Sequence, residues 1–402
     1  MQNSLELSPL PLKIQENEQR RSCLIKESNI GVESINKELW FLYPADLPMP
    51  EDNDCDAYLL AALLPAMQSK ADIIVRGSVS KELLTNLTEL QYIWHKWSPE
   101  EFFIVDIKVD IVRSDEVMTK GAIVAFSGGA DAQFTAYRHS KEAAGYATQD
   151  IKAGIFIQGL DIPLTDTQGF SGAAKLATVV LDDLDIDLKV ARTNIRELWT
   201  INWEYYFAAA IAAVLSGFSR YAGRGLIGSS EPYDSLLAPW GSHPMTDPLL
   251  SSGTFKVIHD GAGFSRSEKI KFISGWDLGV KNLRVCWAGG DHDRNCGRCE
   301  KCVRTRLNFI LSGVVNPKCF DSPLKTSNFK SIVLGSEGAR NEWELIRSEI
   351  IQTERGLKWL PQIDQVLKRK PSLRFARVLP LGSKRRELTK KVLAKKVKED
   401  HK

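Results

Sequence analysis

The chain has 402 residues, too many for one compact core, so two or three domains are expected. Apolar residues make up 43% and charged residues 26%, which excludes a disordered or collagen-like chain. A net charge of +3 is small for this length and does not imply a nucleic-acid partner.

The opening residues, MQNSLELSPLPLKIQENEQRR, hold no apolar core of signal-peptide length, and residues 1 to about 20 read as polar and loose. Up to about residue 118, strand-like runs alternate with helical ones. LWFLYP (39–44), DIIVRG (72–77) and FFIVDIKVDIV (102–112) read as strands, and residues 57–68 and 81–97 as helices. This predicts a small α+β domain over 1–118, with no chemical motif. RSDEVMTKG (113–121) reads as a linker. Strands at 122–126, 153–160, 187–192 and 224–230 then alternate with helices from about 130, at 171–184 and at 203–220. That rhythm predicts an α/β domain over 119–320 with a doubly wound parallel sheet, whose ligands sit beyond the carboxyl ends of the strands. The most apolar helix, YYFAAAIAAVLSGF (205–218), is shorter than the roughly 20 residues a bilayer span needs. It reads as buried, and the protein as cytoplasmic with no membrane contact. Residues 321–402 read as helical and increasingly basic. Their end, SKRRELTKKVLAKKVKEDHK, reads as a solvated helix rather than an RNA or partner contact.

AFSGGADAQF (125–134) joins the strand at 122–126 to the helix that follows. Gly128 and Gly129 allow a tight turn, and the helix start offers unpaired N–H groups and a positive dipole end. Together they make a phosphate cradle, to which Ser127 adds a hydroxyl donor. Asp131 beside phosphate calls for a divalent cation between them, and Mg²⁺ fits. The loop lacks the Gly-Lys-Ser/Thr of a Walker A motif and the Gly-x-Gly-x-x-Gly of the dinucleotide fold.

Of seven cysteines, Cys23, Cys55 and Cys319 are scattered, while Cys286, Cys296, Cys299 and Cys302 cluster. The spacing Cys-x9-Cys-x2-Cys-x2-Cys is that of a zinc knuckle. Four thiolates close a tetrahedron, which predicts a structural Zn²⁺ without a catalytic role. Arg298, Lys301, Arg304 and Arg306 would offset its negative charge, Gly290 and Gly297 would supply turns, and His292 is a competing ligand.

The loop resembles the Ser-Gly-Gly-x-Asp-Ser pyrophosphate loop of the ATP pyrophosphatases, with Ala132 standing where that family has Ser or Thr. Combined with the cysteines about 155 residues later and CGRCEKCVRTR, the chain resembles the 7-cyano-7-deazaguanine synthase (QueC) family over about residues 120–320. The resemblance implies an adenine-nucleotide α-hydrolase-type sheet that binds ATP and Mg²⁺. It also implies carboxylate activation by adenylation, with release of pyrophosphate and AMP and with ammonia as nucleophile. Residue by residue it carries ATP binding to Ser127, Gly128, Gly129 and Asp131, and zinc ligation to Cys286, Cys296, Cys299 and Cys302. SRSEKI (265–270) is similar to the family's Lys-containing helix start, making Lys269 and Arg266 catalytic candidates beside Asp131. The family's Gly-Tyr-Pro-Asp-Cys-Arg stretch is replaced by a long loop at 228–252. Glu231, Asp234 and His243 are its substrate candidates. A 7-deazaguanine acid is therefore one candidate substrate and not the only one. Extended members of this family accompany bacterial antiviral defence modules, which makes a protein partner, met through the N-terminal domain, an expected acceptor. Two other functions share the loop: tRNA thiolation, in which the cysteines would hold a reactive thiol or an iron–sulfur cluster, and a non-catalytic ATP-binding assembly module.

Overall fold

The computed structural model describes residues 3–29, 34–114, 117–286 and 292–369. The N-terminal residues expected to be loose form a long strand instead, β1 (Ser4–Gln15), because Leu5 and Leu7 alternate with polar neighbours and bury on one face. Two prolines disguise it. Proline donates no ladder bond, and the register with β2 (Glu18–Ser28) shifts between Leu10 and Lys13, around Pro11. Next come β3 (Ile35–Pro44), α1 (Asp56–Ser69), β4 (Asp72–Ser80), α2 (Lys81–Trp97) and β5 (Ile107–Arg113). Every residue of α1 from Asp56 to Met67 is buried, as an all-round apolar helix must be. Pro65 inside α1 leaves the Ala61 carbonyl without its helical donor, and the buried Tyr206 hydroxyl donates to it.

The following elements are β6 (Ala122–Ala125), α3 (Ala130–Ser140), β7 (Ile151–Gln158), α4 (Thr167–Asp182), β8 (Asp187–Thr193), α5 (Ile195–Leu198), α6 (Trp203–Ser216), β9 (Arg224–Gly228) and β10 (Lys256–Asp260). These five strands are all parallel, in the order β10-β9-β6-β7-β8. From β6 the chain winds outward through β7 and β8, then returns to place β9 and β10 on the other side. The order reverses at β6, so the crevice beyond the ends of β6 and β9 is the switch point where such sheets bind ligands.

The strands before residue 118, expected to form a unit of their own, continue this sheet. β3 pairs antiparallel with β8 through Phe41↔Thr193 and Leu42↔Arg192. The ten-stranded order is β10-β9-β6-β7-β8-β3-β2-β1-β4-β5, mostly parallel. One apolar cluster joins Leu39, Phe41 and Leu63 of the first half to Ile123, Tyr206 and Val214 of the second.

Beyond β10 lie α7 (Arg266–Ile273), α8 (Asp277–Lys281), α9 (Glu300–Leu311), α10 (Glu337–Thr353) and α11 (Leu360–Lys368). α9 serves two cores. Cys302 and Phe309 pack with Ala130 and Phe134, while Val303 and Leu307 pack with Trp343, Ile346 and Ile363. The basic stretch 383–402 lies outside the described residues. No helix among those described is long and apolar enough to cross a membrane.

Candidate functional site

At the end of β6 the chain turns through Ser127, Gly128 and Gly129 into α3. Gly128 takes φ 74°, a conformation glycine adopts at little cost. Gly129 is the extended residue before the helix, and no side chain caps α3 there. The first-turn N–H groups and the positive end of the helix dipole therefore remain for an anion. The Gly129 N–H also reaches Ser127 Oγ at 3.3 Å, which folds the loop over its own hydroxyl. β9 closes on α3 through Gly228, where a Cβ would stand 2.9 Å from the Asp131 carbonyl oxygen.

Asp131, in the first turn of α3, is surrounded by cations. Arg266 Nη1 donates to Oδ2 at 2.9 Å, and Lys269 Nζ lies 3.4 Å from Oδ1. Both cations come from α7, three residues apart and so on one face. A capping box between Ser265 and Glu268 fixes the start of that helix. Lys269 is 1% exposed, and its ammonium also donates to Ser229 O at 2.6 Å and Ser229 Oγ at 2.9 Å. Its three donors are thereby used. Burial pushes the Asp131 carboxyl up, but Arg266, Lys269 and Lys301 outweigh it and hold the group below its ordinary range. Both carboxylate oxygens serve cationic side chains, so a Mg²⁺ ion on Asp131 does not fit this arrangement.

Asp131 and Ser127 open onto a cavity of about 290 Å³, near the lower end for small-molecule sites. Its lining includes the polar residues Ser127, Asp131, Asp161, Ser230, Arg284 and Lys301, together with Trp203, Glu204, Phe207 and Trp240. The Lys301 ammonium is held below its ordinary pKa by burial, then by Arg266 and Arg304. Two cations beside an uncapped helix start suit phosphate oxygens.

The four clustered cysteines converge. Their Sγ atoms lie within 4.8 Å of one another, with Cys286–Cys299 and Cys296–Cys302 each at 3.9 Å. Thiolates about 2.3 Å from one zinc ion stand about 3.8 Å apart in a tetrahedron. The donor set therefore fits one metal ion such as Zn²⁺ with no position left open. Cys299 precedes α9 and Cys302 lies in its first turn, where the dipole favours thiolate. His292 is not among these ligands, because its Nδ1 meets Asp166 Oδ2. Arg306 lies over the Phe320 ring at 4.2 Å, and Arg304 bridges Glu300 and Glu342 at 2.8 and 3.1 Å. Gly290 lies outside the described residues.

A strap ties this cluster to the phosphate loop. The Arg284 N–H donates to Gly128 O at 2.9 Å, and its Nη2 to Ser127 O at 2.8 Å. In the next two residues, the N–H groups of Val285 and Cys286 both donate to Asn295 Oδ1, at 2.9 and 3.1 Å. The loop's shape thus depends on the segment that supplies the first cysteine.

No protein-family model, curated protein or solved structure matches this chain.

Among the sequence-derived candidates, Ser127, Gly128, Gly129, Asp131, Arg266 and Lys269 assemble in one place. Arg266 and Lys269 stand behind Asp131, however, and do not line the cavity. The substrate candidates do not line it either. Glu231 is buried against α10, and its carboxyl is pushed up to about 7 by burial and by Glu342. Asp234 is exposed on a short turn, accepting from Ser235 Oγ at 3.2 Å. His243 is buried edge-on against Trp97, and its Nδ1 accepts the Met245 N–H at 3.1 Å. The residues of that loop on the cavity wall are Gly228, Ser230 and Trp240. Sequence reasoning missed these, together with Trp203, Glu204 and Arg284, and gave Lys301 only the role of offsetting the charge of the cysteines. The only signal was a polar start, Trp-Glu, on an otherwise apolar helix.

Proposed function

We propose that this chain is an ATP-dependent adenylating enzyme. The acceptor's carboxylate oxygen attacks the α-phosphorus of ATP, pyrophosphate leaves, and the acyl adenylate passes its acyl group to a nitrogen nucleophile with release of AMP. The observation that carries this reading is the uncapped, glycine-turned start of α3 at the sheet's switch point, facing a cavity walled by Arg284 and Lys301. In this reading the loop N–H groups and Ser127 hold the departing pyrophosphate, and Lys301 and Arg284 stabilise charge developing around the α-phosphate. Asp131 positions the α7 cations and keeps the start of α3 in register with β9. The metal bound by the four cysteines acts structurally. A 7-deazaguanine acid is the acceptor we favour, with an amine of a protein partner in an antiviral module as one destination for the acyl group. Thiolation is less well supported, since no cysteine lines the cavity among the described residues.

Product analysis with ATP and a panel of carboxylic acids tests the proposal. AMP and pyrophosphate are expected, falling by about 10²-fold in Asp131→Asn. ADP and phosphate, or tight ATP binding without acid-dependent turnover, would leave only a nucleotide-binding role.

A further inference from the structure

The two edges of the ten-stranded sheet are finished differently. At β10 the outward backbone is covered: the Val257 N–H donates to Ser251 Oγ at 2.9 Å, and His259 Nδ1 meets Asp247 Oδ2 at 2.7 Å. At β5, IKVDIVR, the edge is bare. The Ile73 N–H of β4 donates to Asp106 O at 2.8 Å, and along a parallel pair successive residues turn their backbone groups to opposite sides. Asp106, Lys108 and Asp110 therefore face β4. Ile107, Val109 and Ile111 point their N–H and C=O groups outward, and among the described residues nothing bonds to them.

This edge lacks the usual guards. It holds no proline, and the irregularity in its ladder falls on β4, between Val75 and Ser78. Ile107 and Val109 are half-buried against the main apolar cluster, but Ile111 and Val112 are 53% and 52% exposed. An open edge with apolar side chains on it invites another strand.

The charges say which strand. Let two copies of β5 run antiparallel about a two-fold axis at Val109. Val109 then faces itself, and Ile107 faces Ile111 of the partner subunit. All of these have outward backbones, so each facing pair can exchange both of its hydrogen bonds. Between them the exposed Lys108 stands opposite Asp110 of the partner subunit, twice by symmetry, at the closer non-hydrogen-bonded spacing. Arg76, 3.5 Å from Asp110, adds a further cation to that face. Sliding the axis onto Lys108 or Asp110 keeps the ladder but sets like charges opposite each other.

We propose that β5 is a self-pairing edge, through which two copies of this chain join antiparallel, centred on Val109, into one continuous sheet. A single strand pair buries little area, so the dimer is weak, with a dissociation constant on the order of 10 µM. β6 and its glycine loop lie near the opposite edge in the strand order, which leaves both cavities open.

Sedimentation velocity of the full chain, at concentrations bracketing that value, is the test. A monomer–dimer equilibrium is expected. Val109→Pro deletes an N–H that bonds nothing within one chain, so it is expected to give a monomer with an unchanged melting temperature. Lys108→Glu and Asp110→Lys each bring like charges together in the dimer, and each is expected to weaken it by about tenfold. Mixing these two variants sets opposite charges facing again and is expected to restore wild-type affinity. Should Val109→Pro melt lower, the mixture still decides, because both of its substitutions lie on exposed side chains. A wild type that stays monomeric throughout overturns the proposal, whatever else covers the edge. So does a dimer that survives Val109→Pro, one that the single charge variants leave as tight, or one that the mixture fails to rescue.

Discussion

Lys269 is an uncommon residue, a lysine with 1% exposure whose ammonium ties the end of β9 to α3 through Ser229 and Asp131. Removing its charge leaves Ser229 O and one Asp131 oxygen without a partner. Lys269→Met is therefore expected to cost about 3 kcal/mol or more in urea unfolding, and an unchanged midpoint would contradict this role. Glu231 makes the opposite demand. Burial first, then Glu342, pushes its carboxyl up to about 7, against the lowering effect of Arg304 and Arg266. A carboxyl raised on folding binds more protons folded than unfolded, so its contribution to stability falls as pH rises from its ordinary value toward 7. Glu231→Gln is accordingly expected to melt higher than wild type at pH 8 and close to it at pH 5. An equal difference at both pH values would contradict the buried-acid assignment. At this scale the sequence disclosed the contiguous part of the site, Ser127 to Asp131, and the α7 pair. Glu204 lies far along the chain from Arg284 and Lys301, and although those two flank the cysteine cluster, nothing local marks any of the three as facing the phosphate loop.

Among the elements, the strap from Arg284 to Cys286 connects the two motifs read separately in the sequence. The thiolates hold one end of the segment, and Arg284 hydrogen-bonds Ser127 and Gly128 with the other. Stripping the metal with a strong chelator is thus expected to weaken binding of an ATP analogue by about tenfold and to speed amide exchange at residues 127–130. Unaltered exchange there would show that the loop stands without its metal-bound neighbour. The strands hardest to read have physical excuses. β1 carries two prolines and exposes alternate residues, and β10, KVIHD, buries few large side chains. The helices α1 and α2 and the strands β4 and β7 were legible because their apolar patterns are long and uninterrupted.

Over the whole molecule, the parallel half of the sheet follows from alternation of strands and helices, and its switch point from the strand order alone. The fusion of the N-terminal strands to β8 was not legible, because it rests on two residue pairs, at Phe41 and Leu42. One sheet then carries the site at one end and buries α1 against α6, whose first turn forms the aromatic wall of the cavity. The central claim is that a carboxylate of the acceptor attacks the α-phosphorus. An acid labelled with ¹⁸O in its carboxylate, turned over with ATP and an amine, tests it most directly. The expected result is AMP carrying one ¹⁸O atom per turnover. Unlabelled AMP, or ADP in its place, would contradict it.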